Sequence, residues 1–482
     1  MNLNEYAEHD GIGLAQLVAS GDVRAEELAA LAIEAVQQVN PSINAVIEHW
    51  TPTVTTGSGP LAGVPFLIKD LAITAAGRRN ELGSRLAQGV VAQHDSNLMQ
   101  RFNASGLMTL GRTTTPEMAF STETDSVLQG PTRNPWDPQR SAGGSSGGAG
   151  AAVAAGIVPV AHATDAAGSI RVPAAFNGLV GLKPTRGRSS HGPVMDEVFA
   201  GLGVQLGLSR TVRDSAALMD VVQGCAPGDP YHTPAPAEGF LAQVGRDPGR
   251  LRIGVLDTPW NGAAVDSEIR DATQRVAREL EALGHQVETV QAPLGLSWEA
   301  FVDANAHIWC ASLVRWIDHL ASSTGRAIDH RTLEPATLAC YALGEQSRGV
   351  DFAAALEVRN SIARQVASWF ESIDILLTPT LPQLPQAVGI YNRGAETLDG
   401  RQWTARVFAH SPFTPVFNVA GTPAISLPLG MSQSGLPIGV QLAARFGADD
   451  VLLRLAAQLE QTLPWHRRRP LIHAGQKTSM IS

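Results

Sequence analysis

Residues 141–150, Ser-Ala-Gly-Gly-Ser-Ser-Gly-Gly-Ala-Gly, constrain the fold of this chain more than any other segment. Glycine lets backbone segments approach closely and adopt positive φ, so such a run forms either a tight turn or a flexible linker. It follows a stretch rich in Pro and turn formers at 130–138 and leads into an Ala- and Val-rich segment that predicts a helix to about residue 155. Because both flanks pattern as parts of one domain, we interpret the run as a tight turn at a closely packed site.

Strand and helix patterns alternate along the chain and predict an α/β fold. Strands are expected at 62–70, 108–111, 251–256, 285–290, 424–428 and 438–442, and helices at 95–104 and 266–283. An early helix is expected to end at the Asn-Pro-Ser sequence of residues 40–42. Residues 296–372 contain few Gly or Pro and are expected to form helices that cover a substrate pocket. With no repeat and no long linker, the prediction is a single domain over 1–482.

Charge and cysteine content exclude several classes of function. The net charge is −9 and no dense Lys/Arg cluster occurs, so a nucleic-acid partner is not expected. Three widely spaced cysteines, Cys225, Cys310 and Cys340, provide neither a disulfide framework nor a CxxC metal site. The thirteen histidines show no HExxH spacing, so we predict no metal and no cofactor. Without a signal-peptide pattern or an 18-residue apolar stretch, we expect a cytoplasmic protein that does not contact a membrane.

Amide hydrolysis requires a nucleophile, a route for its proton and a base, and serine hydroxyls together with a lysine amine are residue types that can take these parts. Lys69 ends an apolar strand, Ser145 lies in the Gly/Ser run, and Ser169 follows Ser145 by 24 residues. A lysine ammonium cannot accept a proton, but a buried neutral lysine can, and each unit of pKa depression costs about 1.4 kcal/mol. The apolar residues 64–68 before Lys69 would provide such burial.

The same run can also be compared with a phosphate-binding loop and with a nucleophile elbow. A phosphate-binding loop would have Lys after its glycines, and none follows here. The run also fits Gly-x-Ser-x-Gly, the nucleophile elbow of α/β-hydrolases, which would make Ser145 the nucleophile and require a histidine such as His162. That elbow needs a strand immediately before it, and the prolines at 135 and 138 argue against one. A histidine beside an apolar strand is more often structural, and His162 is interpreted in that way.

The chain resembles the amidase signature family over nearly its whole length, from Gly63-Val64-Pro65-Phe66-Leu67-Ile68-Lys69-Asp70 to Pro437-Ile438-Gly439-Val440-Gln441. The most specific part is Gly-Gly-Ser-Ser-Gly-Gly at 143–148 with Gly-Ser-Ile-Arg at 168–171. The resemblance implies a central mixed, twisted sheet covered by helices on both faces. It also implies that Ser169 is the nucleophile, that Ser145 follows a cis peptide and shuttles a proton, and that Lys69 is the base.

The same resemblance implies further site residues. Its oxyanion hole would consist of the backbone N–H groups of four residues, Ala166, Ala167, Gly168 and Ser169. The family has a second glycine where this chain has Ala167, whose methyl would narrow the loop without removing an N–H. Pocket contacts are implied for Met118, Ala119 and Phe120. For Cys310, beside Trp309 in the helical region, core packing is the first interpretation and a substrate contact the second.

The segments around Ser169 and at 181–188 are most similar to the branch that includes hydrolases of the 6-aminohexanoate cyclic dimer and related amidases of synthetic amides and carbamates. The predicted partner is therefore a small amide or carbamate, with a homodimer as the default assembly. Two alternatives stay open: a glutamine-hydrolysing A subunit of an aminoacyl-tRNA amidotransferase, and a non-catalytic scaffold of the same fold. Structural roles are predicted for Asp70 and Lys183, and an ion pair that braces the loop for Asp165 and Arg171.

Overall fold

A computed structural model describes residues 1–52, 57–195 and 197–476. Its strands are β1 (Val46–His49), β2 (Pro65–Lys69), β3 (Met108–Thr113), β4 (Asp125–Ser126), β5 (Gly130–Pro131), β6 (Arg133–Asn134), β7 (Asp137–Ser141), β8 (Val160–Asp165), β9 (Val180–Lys183), β10 (Val204–Ser209), β11 (Arg252–Val255), β12 (Gln286–Thr289), β13 (Ile375–Pro379), β14 (Ala424–Met431) and β15 (Pro437–Ala444). Its α-helices are α1 (Leu3–Glu8), α2 (Gly11–Ser20), α3 (Ala25–Ile43), α4 (Asn97–Ala104), α5 (Gly147–Ala154), α6 (Arg171–Asn177), α7 (Val212–Val222), α8 (Ser267–Ala282), α9 (Trp298–Thr324), α10 (Pro335–Gln346), α11 (Gly349–Ser372), α12 (Gly400–His410), α13 (Pro415–Ala420) and α14 (Asp449–Thr462).

Eleven of these strands form one sheet in the order β1-β3-β2-β8-β10-β9-β14-β15-β13-β11-β12. Strand β2 runs parallel to both β3 and β8, and β11 runs parallel to both β12 and β13, while the other neighbours are antiparallel. Consecutive residues of a strand point to opposite faces, and every residue of β2, β3, β9, β10 and β15 is buried. The sheet is therefore covered on both faces, which confirms the predicted α/β class.

The parallel pairing of β2 and β8 brings two distant parts of the sequence to one edge of the sheet. Phe66 is opposite Val160 and Leu67 is opposite Ala161, so both strands end on the same side. Lys69 is the last residue of β2, and Thr164 and Asp165 close β8. The apolar residues that make β2 a buried strand thus also determine where the predicted base is located.

Two local expectations were wrong. Helix α3 does not end at 40–42 but continues through Pro41 to Ile43, and the Asn44 N–H donates to the Asn40 carbonyl at 2.8 Å. A proline removes only its own N–H from the helix, so hydrogen bonds on either side of it can still form. Asn44, in the left-handed conformation, closes this helix. Despite Pro138, β7 is a strand that pairs with β6 and ends shortly before the Gly/Ser run. The absence of a strand was therefore a wrong reason to reject the elbow, although β7 belongs to a separate two-stranded hairpin and not to the central sheet.

The βαβ unit expected at 251–290 is confirmed, since β11 and β12 are parallel neighbours joined through α8. The hairpin of β14 and β15 before the last long helix is confirmed as well. Residues 296–372 are mostly helical, and α10 and α11 both pack on α9. The organisation of 1–482 as a single domain stays a prediction.

Candidate active site

The Lys69 amino group is the centre of a buried hydroxyl cluster. Its Nζ lies 2.7 Å from Ser145 Oγ, 3.0 Å from Ser146 Oγ and 2.9 Å from Thr164 Oγ1. Hydroxyl groups both donate and accept, whereas an ammonium only donates, so this cluster can satisfy either a charged or a neutral amine. The sequence singled out Lys69 and Ser145, and the structure adds Ser146 and Thr164 to them.

Burial determines the charge state of Lys69. The side chain is inaccessible to solvent, and burial lowers its pKa well below the ordinary value of 10.5, although the nearby Asp165 carboxylate opposes this effect. Desolvation penalises the ammonium because water can no longer solvate its charge, while the neutral amine loses much less. Lys69 therefore has the low pKa that a proton acceptor needs.

The Gly/Ser run holds Ser145 in a tight turn against a neighbouring segment. The Gly144–Ser145 peptide bond is cis. A Cβ built on Gly144 would lie 2.7 Å from the backbone N and C of Glu123, so a side chain has no space at this position. Thr115 Oγ1 donates to the Ser145 carbonyl at 3.0 Å. Close packing thus explains why this run is so rich in glycine.

Ser169 lies in the turn between β8 and α6 and lines the same cavity as Ser145. Gly168, immediately before it, has φ of +130°, and a Cβ there would lie 2.5 Å from Thr414 Oγ1. Only glycine adopts this conformation without strain and leaves space for Thr414. The structure therefore brings all three predicted catalytic residues, Lys69, Ser145 and Ser169, to one site.

An ion pair braces the turn that carries Ser169, as the sequence predicted. The Asp165 carboxylate accepts hydrogen bonds from the Gly168 N–H at 2.7 Å, the Ile170 N–H at 3.1 Å and the Arg171 guanidinium at 2.9 Å. Burial alone would raise the pKa of Asp165, but the charge and hydrogen bonds of Arg171 lower it to about 2. Both side chains are fully buried, and Arg171 also donates to Asn418 Oδ1 at 2.6 Å.

Asp165→Asn is expected to destabilise the fold by about 3–5 kcal/mol, because it leaves the Arg171 guanidinium buried without a counter-charge. Urea denaturation would measure this loss. Glu238→Gln, which breaks an exposed pair with Arg246, is the matched control and should leave the midpoint nearly unchanged. Equal midpoints for the two variants would mean that the Asp165 pair does not brace the turn.

The predicted oxyanion donors require one correction. The Gly168 N–H donates to Asp165 Oδ1 at 2.7 Å, so it is already committed to bracing the turn and is not available to a substrate oxygen. The hole predicted from Ala166, Ala167 and Ser169 stays a prediction. Ala166 and Ser169 line the cavity, and the Ala167 carbonyl accepts from Thr414 Oγ1 at 2.5 Å.

The cavity beside Ser169, termed the catalytic cavity, has a volume of about 390 Å³ and is mostly apolar. It is lined by Leu71, Ala72, Met118, Ala119, Ser145, Thr164, Asp165, Ala166, Ser169, His191, Val198, Phe199, Gly203, Val204, Trp309 and Trp316. Met118 and Ala119 are thus where the sequence predicted them. Phe120 lies behind the wall and stacks on Trp309 at 4.9 Å.

Cys310 is not among the described residues that line the catalytic cavity. It is fully buried with Cys340, on α9 and α10, so the structure favours core packing. Two residues of this region do reach the cavity, Trp309 and Trp316, both on α9. Trp309 stacks on Phe199 at 4.2 Å, and Trp316 packs on the same ring. No sequence signal marks these contacts, because the aromatic rings come from separate segments.

His162 has a structural role. Its Nδ1 accepts from the backbone N–H of Lys69 at 3.3 Å, so its Nε2 carries the proton and donates to Gln205 Oε1 at 3.0 Å. Burial lowers the pKa of His162 to about 3. Both ring nitrogens are engaged away from the serines, which removes the histidine that the elbow interpretation requires.

No group of three or more His, Cys, Asp or Glu side chains is arranged to hold a metal ion within 1–52, 57–195 and 197–476. In the same part of the chain, every helix is too short or too polar to cross a membrane.

Known proteins resemble this chain in sequence. The family model described as Amidase matches residues 24–453. The 6-aminohexanoate-cyclic-dimer hydrolase of Paenarthrobacter ureafaciens is 41% identical over 97% of this chain and 98% of its own length. A putative amidase, AmiC, of Mycobacterium leprae is 36% identical over 95% of this chain and 96% of its own length.

Solved structures resemble the chain in fold. The structure of a 6-aminohexanoate cyclic dimer hydrolase complexed with substrate has a TM-score of 0.91 at 40% identity and covers 97% of this chain and 100% of that one. A bacterial aryl acylamidase of the amidase signature enzymes has a TM-score of 0.82 at 26% identity, with 95% and 96% of the two chains covered.

Proposed function

The chain belongs to the amidase signature family, and on that premise we propose that it hydrolyses a neutral amide through an acyl-enzyme on Ser169. It is an amidase, a hydrolase of carbon–nitrogen bonds other than peptide bonds. One observation carries the proposed mechanism: the fully buried amine of Lys69 lies 2.7 Å from Ser145 Oγ, in a site that also contains Ser169.

The proposed reaction has two halves. Neutral Lys69 accepts a proton from Ser145 while Ser145 accepts one from Ser169, whose Oγ attacks the amide carbonyl. The backbone N–H groups of Ala166, Ala167 and Ser169 stabilise the oxyanion, and one such donor is typically worth about 10²–10³ in rate. As the carbon–nitrogen bond breaks, Ser145 returns a proton to the amine. Water then attacks the acyl-enzyme through the same relay and releases a carboxylate.

The lining of the catalytic cavity supports a neutral substrate. Its charged side chain, Asp165, is paired with Arg171, and most other lining side chains are apolar. An unpaired charge brought into such a cavity would lose its hydration without gaining a partner. A cyclic amide carries no charge, and the 41% identical relative is named for a cyclic dimer, so we propose a cyclic amide as the preferred substrate. Carbamates present a similar carbonyl and are a secondary candidate.

A substrate panel tests this proposal: the cyclic dimer of 6-aminohexanoate, its linear dimer, an anilide, an aryl ester, an aryl carbamate and a glutaminyl amide. We expect kcat/KM for the cyclic dimer to exceed that for the zwitterionic linear dimer by at least about tenfold, because the linear dimer must bury a charge. A preference for the glutaminyl amide would instead indicate an amidotransferase A subunit. A scaffold would turn over none of the panel and would not react with a serine-directed phosphonate.

Homodimer formation and a cytoplasmic location, both expected from the sequence, stay predictions. The proposed chemistry requires neither.

A further inference from the structure

A second cavity lies directly beside the catalytic cavity. It has a volume of about 340 Å³ and shares His191, Val198 and Gly203 with the catalytic cavity as common wall residues. We term it the polar cavity, because its other lining residues include Arg186, Ser189, Glu197, Asp229 and Tyr231. The two spaces therefore differ in character, one mostly apolar and the other charged, and are separated by a thin wall.

The wall between the two cavities has one part, at His191, that hydrogen bonds hold in place. Its other part is the side chain of Val198. His191 donates from Nε2 to the Gly203 carbonyl at 3.0 Å and accepts at Nδ1 from Gln205 Nε2 at 3.2 Å, so both of its nitrogens are engaged. A Cβ built on Gly203 would lie 2.8 Å from Val198 Cγ1, which means that Val198 packs directly on the Gly203 backbone. The Val198 side chain is thus the layer that separates the cavities at this point.

Among the charged side chains of the described residues that line the polar cavity, Glu197 is the exposed one. Arg186 donates to the carbonyls of Gly201, Asn418 and Val419, and the neighbouring Arg359 donates to the Ala200 carbonyl. Both cations are therefore directed at the backbone of the wall. Asp229 accepts from Ser190 Oγ at 3.1 Å and from the Ala226 N–H at 2.7 Å.

The Glu197 side chain, in contrast, is exposed. Glu197 and Tyr231 line the same cavity, and burial, followed by a hydrogen bond with the Glu197 carboxylate and by its charge, raises the pKa of the Tyr231 hydroxyl. A ligand cation could therefore contact the Glu197 carboxylate next to the Tyr231 hydroxyl.

Hydrolysis of a cyclic amide creates a problem that a linear amide does not. When the ring opens, the carbonyl carbon is bonded to Ser169 Oγ, and the released amine remains attached to the far end of the acyl chain. That amine can attack the ester again, forming the carbon–nitrogen bond, breaking the bond to Ser169 Oγ and returning the proton to Ser169 through Ser145. Tethered groups react with high effective concentrations, so reclosure competes with attack by water.

We propose that the polar cavity binds the ammonium group of the ring-opened acyl chain, with Glu197 as its carboxylate partner and Val198 at the passage between the cavities. The inference rests on the proposed function, since it requires an acyl-enzyme formed from a cyclic amide. Once the amine has taken a proton from solvent and lies beside Glu197, it is no longer a nucleophile and is held away from the ester. The site thereby directs the acyl-enzyme to hydrolysis.

The test uses the methyl ester of the linear 6-aminohexanoate dimer, which gives the same acyl-enzyme as the cyclic dimer without ring opening. Its early products, cyclic dimer by reclosure and linear acid by hydrolysis, are quantified by liquid chromatography with mass detection. We expect Glu197→Gln to raise the ratio of cyclic to linear product roughly two- to fivefold, the range for one exposed charge pair. Glu197→Lys should raise it further by repulsion. Val198→Phe should also raise it, because a larger side chain narrows the passage while Glu197 stays in place.

Glu288→Gln is the matched control, since Glu288 is exposed on β12 and lines neither cavity, and it should give the product ratio of the unmodified enzyme. The N-acetylated ester, which cannot cyclise, reports the rate of acylation and hydrolysis in each variant. Ester turnover that depends on Ser169, with an unchanged product ratio in both Glu197 variants, would overturn the ammonium site alone. No Ser169-dependent turnover of either ester or of the cyclic dimer would overturn the proposed function and the ammonium site with it.

Discussion

Ser169→Ala is expected to lower kcat for the best substrate of the panel by at least about 10⁴-fold, because removing the nucleophile of a catalytic unit eliminates most of its rate enhancement. Binding should persist, since the cavity wall and the braced turn remain intact. Calorimetric titration of the cyclic dimer into the variant would therefore give a measurable Kd while steady-state assays show almost no turnover.

Ser145→Ala is expected to be nearly as severe, and the double variant should be no worse than Ser169→Ala, since residues that act as a unit do not contribute additively. Ser322→Ala, on an exposed part of α9, is the matched control for a serine-to-alanine change. An active Ser169→Ala variant together with an inactive Ser145→Ala variant would make Ser145 the nucleophile and refute the proposed mechanism.

Lys69→Met is expected to lower kcat at neutral pH by about 10²–10⁴-fold, the range for loss of a general base. Methionine is an unbranched side chain of similar size, so the packing of β2 should survive. In the unmodified enzyme, kcat/KM should rise with pH as Lys69 loses its proton and reach a plateau well below pH 10.5, because burial lowers the pKa of this amine. The value of kcat/KM rises with pH, and does not fall, because protonated Lys69 cannot accept a proton from Ser145.

The Lys69 pKa can also be measured directly. The chain has only three lysines, Lys69, Lys183 and Lys477, so ¹³C labelling at lysine Cε gives few resonances in an NMR titration. The resonance that disappears in Lys69→Met belongs to Lys69. Lys183 titrates as an internal comparison, because burial followed by the charge of Arg171 lowers its pKa to about 7. An ordinary pKa near 10.5 at Lys69 would contradict Lys69 as the base.

Whether an expectation from the sequence held depends on whether the feature is determined by neighbouring residues or by tertiary structure. Strand β2 was predicted because its residues are continuously apolar, and that pattern is a local property of the chain. Pro41 and β7 were misjudged because one proline removes only one N–H donor, and that single loss breaks neither α3 near its end nor the short hairpin strand β7. The propensity of a residue shows that it disfavours a helix or a strand. It does not show at which positions of that helix or strand the residue can still be accommodated.

The Gly168 N–H shows a similar limit. Its place before Ser169 implied an oxyanion donor, but the carboxylate of Asp165 accepts this N–H in the folded turn. The pairing of Asp165 with Arg171 was predicted from the sequence. How many other groups donate to the Asp165 carboxylate, and which ones, depends on the geometry of the turn. A short motif therefore shows which hydrogen-bonding groups are present, but not which of them already have a partner in the folded protein.

The sequence by itself determined the α/β class, through the alternation of strand and helix patterns, and the family, through a motif with fixed spacing. The resemblance to that family in turn singled out Lys69, Ser145 and Ser169 as the predicted catalytic residues. Only the tertiary structure decided what surrounds them. Trp309, Phe199 and Val198 come from segments far apart in the chain and meet at the cavity wall through packing. Packing depends on the summed fit of many side chains and has no local period, so neither the apolar lining of the catalytic cavity nor the polar cavity beside it could be predicted from the order of residues.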